Sequence, residues 1–118
     1  MYLILFVLHN TTNLQEILNA WNEAGVTGIT ILPSTGMSRL RKSQALREDL
    51  PLIPTLEDLL NSEEKLNRTI FSIVGSEALV DEVIKATEKI VGDLNRPNTG
   101  ILAVLPTFKV HGLNRRDE

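Results

Sequence analysis

The stretch RTIFSIVGSEALVDEVIKATEKIVGDLNRPNTGILAVL, Arg68–Leu105, contains a complete strand–helix–strand pattern. An apolar run rich in β-branched residues reaches Gly75 and predicts a strand, and Ser76 is a typical N-cap for the helix that follows. Apolar residues at helical spacing up to Val91 predict one buried face, while charged residues occupy the other positions. After a polar loop, a second apolar run, Gly100–Leu105, predicts another strand, and the pattern allows this strand to continue through FKVHGL, Phe108–Leu113. This half of the chain is therefore predicted to be β-α-β.

The first part of the chain repeats this plan. The apolar run Tyr2–Leu8 predicts a buried strand. Asn13 is a suitable N-cap for an amphipathic helix, and Gly25 stands where a helix C′ residue belongs. The run Thr27–Leu32 predicts the second strand, and Pro33 is predicted to end it.

Two β-α-β halves, joined by a long insertion at residues 34–67, predict an α+β fold in a single domain of residues 1–118. The arrangement is the ferredoxin-like split βαβ-βαβ, a four-stranded antiparallel sheet with two helices on one face. Its first and third strands are central, and its second and fourth strands are edges.

The predicted strands are apolar on both faces. Leu3, Leu5 and Val7 are as apolar as the residues between them, and the run 101–105 contains no polar residue. Two helices cover only one face of a sheet, so a second cover is needed. Either the insertion or another subunit could supply it, and we expect another subunit.

Composition narrows the classes of function. The chain has a net charge of −3, and its aromatic content is 4%, which argues against a nucleic-acid partner. It has no cysteine and only two distant histidines, so no metal ligand set is apparent. No spacing of acid, base and nucleophile suggests an enzyme. The apolar N-terminus is too short to span a bilayer and lacks the features of a signal peptide, which favours a cytoplasmic protein.

The insertion changes character along its length. Its first part is basic, with Arg41, Lys42 and Arg47, and its second part is acidic and carries apolar residues. A connection of this length is usually functional or disordered. Two interpretations stay open, a mobile loop that contacts a partner protein and an arm packed permanently on a neighbour. Rapid proteolysis within the basic part would favour the mobile loop.

Two short segments have the composition of anion-binding loops. STGMSR follows the second strand, and NTG precedes the fourth. Gly100 permits a close approach of the backbone, while Asn98, Thr99, Ser38 and Arg39 supply donors. The same residues are also good turn formers, and the sequence does not decide between the two roles.

The segments GVTGITILPSTGMSR (Gly25–Arg39) and VGDLNRPNTGILAVLP (Val91–Pro106) resemble two motifs of the PII signal-transduction (nitrogen regulatory) proteins. The β-α-β, loop, β-α-β order of that family also matches most of the chain. The resemblance implies a cytoplasmic homotrimeric regulator with small effectors, typically adenine nucleotides, in the clefts between subunits. It also implies a long loop that docks on a partner protein such as a transporter or an enzyme, hence a possible transient membrane-protein partner.

The resemblance assigns ligand-binding roles by position. It places Thr30 near an adenine ring, Gly36, Met37 and Ser38 in the first loop, Arg39 on a phosphate, and Asn98, Thr99 and Gly100 in the second loop. Ile101 departs from the pattern because the family has a phosphate-binding lysine there. Losing that lysine removes a charge-assisted hydrogen bond of about 1.5–3 kcal/mol, so a less charged effector is equally consistent. The alternative function is a trimeric structural or interaction module without a ligand.

Overall fold

A computed structural model of the protein describes residues 1–36 and 67–113. In chain order these residues form β1 (Tyr2–Leu8), a 3-10 turn (Thr11–Asn13), α1 (Leu14–Ala24), β2 (Thr30–Ser34), β3 (Asn67–Val74), α2 (Glu77–Val91) and β4 (Ile101–Pro106). Apart from its two ends, the predicted insertion at residues 34–67 lies outside the described residues.

The four strands form one sheet in the order β2-β3-β1-β4, and every neighbouring pair is antiparallel. The first and third strands are therefore central, and the second and fourth are edges. This order, with the two helices packed against each other over the sheet, confirms the α+β ferredoxin-like arrangement.

The core lies between the helices and one face of the sheet. Alternate residues of β1 are fully buried, and the ring of Phe6 lies 6.4 Å from that of Trp21 on α1. The indole Nε1 of Trp21 donates a 2.9 Å hydrogen bond to Thr87 Oγ1, which in turn donates to Val83 O at 2.7 Å. Because both helices take part in this chain, it fixes the position of α1 along α2 while leaving neither buried donor unpaired.

The helix ends follow local sequence signals, with one correction. Ser76 Oγ accepts from Leu79 N at the start of α2, and Gly25 adopts a left-handed conformation at the end of α1, as predicted. Asn13 lies at the N-cap position of α1, as predicted, but its side chain makes no capping hydrogen bond. Instead Asn10 Oδ1 accepts from the backbone and hydroxyl of Thr12, which starts a 3-10 turn before α1.

The strand boundaries differ from prediction at β2 and β4. Strand β2 begins only at Thr30 and continues through Pro33 to Ser34. Pro33 is tolerated because β2 is an edge strand, where a missing N–H costs no ladder hydrogen bond. Strand β4 ends at Pro106, and the residues that follow do not extend it through position 113. The backbone N–H and Oγ1 of Thr107 both donate to Met1 O at 3.0 Å, which ties this end of β4 to the start of β1.

Candidate ligand site and assembly face

The face of the sheet opposite the helices, which we call the open face, carries no charged side chain from the strands that the structure describes. Residues opposite each other in the antiparallel register share a face. The open face therefore consists of Leu3, Leu5, Val7, Thr30, Leu32, Ser34, Asn67, Thr69, Phe71, Ile73, Ile101, Ala103 and Leu105. At its margins Ile101 is 61% exposed, Leu32 48% and Leu105 46%. The two-sided apolar character predicted from the sequence is thus present in the fold.

The two candidate anion loops lie at the same end of the sheet but on opposite edges. Gly36 follows the last residues of β2, and Gly100 immediately precedes β4. The end of β2 pairs with the start of β3, the start of β3 pairs with the end of β1, and the end of β1 pairs with the start of β4. Because β3 and β1 lie between the two edges, the loops are about 14 Å apart across the sheet. One subunit therefore does not bring them together.

On the β2 side, small hydroxyl side chains surround the end of the strand. Thr69 Oγ1 donates a 2.7 Å hydrogen bond to Ser34 Oγ across the β2–β3 pair. Among the described residues, Thr35 Oγ1 is a buried polar atom without a hydrogen-bond partner, and it lies next to Gly36 in the chain. Thr30 is exposed on the open face at the other end of β2.

Several predicted site residues belong to the part of the chain that the structure does not describe. Met37, Ser38 and Arg39 of the first loop, and Arg41, Lys42 and Arg47 of the predicted partner-binding loop, lie outside the described residues. Their roles stay predictions. Of the candidate ligand-binding positions, the fold places Thr30 on β2, Gly36 two residues after the end of β2, and Asn98, Thr99 and Gly100 before β4.

On the β4 side, three successive backbone donors are used within the segment between α2 and β4, residues 92–100, which we call the α2–β4 loop. Leu94 N donates to Glu88 Oε2 at 3.1 Å, and Asn95 N donates to Asp93 Oδ1 at 2.9 Å. Arg96 N donates to Asp93 O at 3.0 Å. Two of these three amides therefore bind carboxylates of the chain itself.

The NTG part of this loop is also turned inward. Thr99 Oγ1 donates to Arg96 O at 2.9 Å, and Leu94 O lies 3.4 Å from the same hydroxyl. Asn98 has a φ of 66°, a left-handed conformation that asparagine tolerates in turns. The arrangement is that of a closed turn.

Gly100 has a packing reason to be glycine. Its φ is 125°, and a Cβ at this position would lie 2.6 Å from Val7 O and 2.8 Å from Phe6 Cε1. The close approach made possible by the missing side chain is thus to β1 of the same chain. The structure supports the turn interpretation for this residue, and a ligand contact is not needed to explain it.

The far end of the sheet holds a separate electrostatic feature. The negative charge of Glu77 at the start of α2 raises the pKa of Tyr2, and desolvation and a hydrogen bond to Glu77 act in the same direction. Tyr2 pairs with Val74 and Pro106, so it lies at the end of the sheet opposite both loops. This pair therefore does not belong to the candidate ligand site.

Within residues 1–36 and 67–113, no group of three or more His, Cys, Asp or Glu side chains is placed to hold a metal ion. No helix among the same residues is long and apolar enough to cross a membrane. Comparison with known proteins gives no relative, since no family model matches the chain and no curated protein gives a significant match.

Sequence reasoning missed the two carboxylates that close the α2–β4 loop. Glu88 was expected on the solvent face of its helix, yet it is half-buried and reaches Leu94 N. Glu88 precedes Gly92, the residue that ends the helix, by four positions, and this closeness to the loop could have indicated that its side chain reaches a loop amide. The Asp93-x-Asn95 spacing is likewise typical of an Asx turn.

Proposed function

We propose that this chain is the subunit of a PII-like regulatory protein, a homotrimer that binds a small effector, such as an adenine nucleotide or another small anion, between its subunits. The observation that supports this proposal most strongly is the open face of the sheet. Four strands of about six residues span a face of roughly 400 Å², most of it apolar, and an apolar patch of this size is often functional. Since the face has no charge, a second copy of the same face is a suitable cover.

The positions of the two loops support a site between subunits. Gly36 and Gly100 share one end of the sheet and lie at opposite edges. When the β2 edge of one subunit lies beside the β4 edge of the next, the two loops border one cleft. A closed ring of three subunits repeats this contact three times, and this is the assembly that the resemblance to PII proteins implies.

Within such a cleft, the β2 side contributes Thr30 and Gly36. The α2–β4 loop of the neighbouring subunit contributes its outer surface, including the exposed Asn98. Residues 37–39 complete the ligand contacts, and the basic residues of the insertion contact a partner protein, a transporter or an enzyme. These last assignments rest on the sequence resemblance alone.

A second candidate function is a trimeric structural or interaction module that binds no effector. The specific observation in its favour is the closed α2–β4 loop, whose amides bind Glu88 and Asp93. A loop satisfied by its own side chains needs no ligand to be stable.

A thermal-shift measurement with adenosine, AMP, ADP and ATP distinguishes the two functions. The regulatory protein is expected to melt at a higher temperature with at least one of them, because a ligand that binds only the folded state stabilises it. A well-folded protein whose melting temperature does not respond to any of the four would contradict the regulatory function and favour the structural module. Guanosine triphosphate serves as the control for unspecific effects of a polyphosphate.

A further inference from the structure

The hydrogen bonds within the α2–β4 loop bear on the effector charge that the proposed site accepts. In this loop the amide groups of residues 94, 95 and 96 already donate to acceptors of the same chain, two of them carboxylate oxygens. The hydroxyl of Thr99 donates inward as well. Amides that bind an internal carboxylate are not available to a phosphate, and the carboxylate repels one.

Two further observations point in the same direction. Gly100 is packed against Val7 O and the Phe6 ring, so its missing side chain opens no path for an anion towards the backbone. Ile101 is 61% exposed at the first position of β4 and brings an apolar surface to the place beside the loop. The cations nearest in sequence, Lys89 and Arg96, are exposed on the helix and loop surface, where water screens their charge.

Building on the proposed function, we propose that the site selects an effector that is uncharged or carries a single negative charge where it meets the α2–β4 loop. Glu88 is the specificity-determining residue, because its carboxylate both occupies Leu94 N and contributes a negative charge to the cleft wall. The class of ligand is a nucleoside or nucleoside monophosphate, and polyphosphates bind no better.

Isothermal titration calorimetry of the full chain at one fixed ionic strength tests this with adenosine, AMP, ADP and ATP. We expect ADP and ATP to bind more weakly than adenosine and AMP, by about threefold, since no additional hydrogen bond forms as phosphates are added and the Glu88 carboxylate repels them. An affinity that rises by about tenfold or more from adenosine to ATP would overturn the inference and leave the proposed function standing. Binding of none of the four would overturn the proposed function, and the inference with it.

A matched pair of variants tests the role of Glu88 itself. Glu88→Gln keeps an oxygen that accepts from Leu94 N and removes only the charge. We expect it to raise the affinity for ATP relative to adenosine by about threefold, the scale of a partly screened charge interaction. Glu82→Gln makes the same change at an exposed position of the same helix and is expected to leave the ratio unchanged. An unchanged ratio in Glu88→Gln would refute the assignment.

Discussion

The backbone of Gly100 packs directly against the carbonyl group of Val7 on the neighbouring strand. A β-carbon at position 100 would lie 2.6 Å from Val7 O, well inside van der Waals contact. Gly100 also has a φ of 125°, outside the range that side chains favour. The glycine that resembles a phosphate-loop residue is thus required by the fold itself.

Replacing this glycine with alanine is expected to destabilise the protein. Gly100→Ala combines backbone strain with overpacking against β1, for an expected loss of about 2–4 kcal/mol in the free energy of unfolding. Urea denaturation measures the loss. Gly75→Ala is the control, because nothing lies within 4 Å of a Cβ there, and its effect is expected to stay within about 1 kcal/mol. Equal losses in the two variants would show that the contact with Val7 is not important.

The Trp21–Thr87 hydrogen bond predicts a second pair of stability effects. Thr87→Val leaves the buried indole N–H without an acceptor, at a cost of about 1–3 kcal/mol in the free energy of unfolding. Thr87→Ser keeps the hydroxyl and is expected to cost less. Trp21 is the only tryptophan of the chain, so its fluorescence reports both the unfolding transition and the polarity around the indole. If the fluorescence emission maximum of Thr87→Val equals that of the wild type, the result would contradict the Trp21–Thr87 hydrogen bond.

The Tyr2–Glu77 pair predicts a change at alkaline pH. Because Glu77 raises the pKa of Tyr2 above the ordinary value of about 10, the folded protein holds the phenol proton more tightly than the unfolded chain. The resulting stabilisation is present below pH 10 and is lost as the pH rises through the folded-state pKa. Tyr2 is the only tyrosine, so ultraviolet titration of tyrosinate follows it directly.

Removing the Glu77 charge provides the test of that cause. In Glu77→Gln the pKa of Tyr2 is expected to fall towards its ordinary value, while Glu82→Gln on the exposed face of the same helix leaves it as in the wild type. The same pKa in all three proteins would show that Glu77 is not responsible for the shift.

Ile101 offers a gain-of-function prediction for the proposed site. Ile101→Lys restores the cation that PII proteins have at the corresponding position, and the 61% exposure of Ile101 leaves room for it. We expect the affinity for ATP to rise by about tenfold, as for one charge-assisted hydrogen bond. Calorimetry measures the change, and Ile101→Gln is the uncharged control. Equal affinity of Ile101→Lys and Ile101→Gln for ATP would show that the phosphates do not bind beside position 101.

Much of the fold could be predicted from the sequence because its signals are local. Ser76 and Gly25 occupy the helix ends that their chemistry favours, and the strand order follows from two β-α-β units. The prediction that Pro33 ends the second strand was wrong although that strand was predicted to be an edge. A proline within an edge strand is compatible with pairing on the other side, so Pro33 alone does not mark where β2 ends.

The candidate site was less predictable, for a physical reason. Gly36 and Gly100 are on opposite edges of the sheet, so their relation to each other depends on contacts between chains. The closed α2–β4 loop depends on the reach of one half-buried side chain, Glu88, which helical periodicity assigns to the solvent face. Periodicity predicts the face of a helix on which a residue lies, but not the atom that its side chain reaches.

We propose that further copies of the chain cover the uncharged open face. Sedimentation equilibrium or light scattering at micromolar concentration measures the mass of the assembly directly. We expect three times the mass of the chain, held together by the face that contains Leu5 and Phe71. A monomeric mass at that concentration would contradict it.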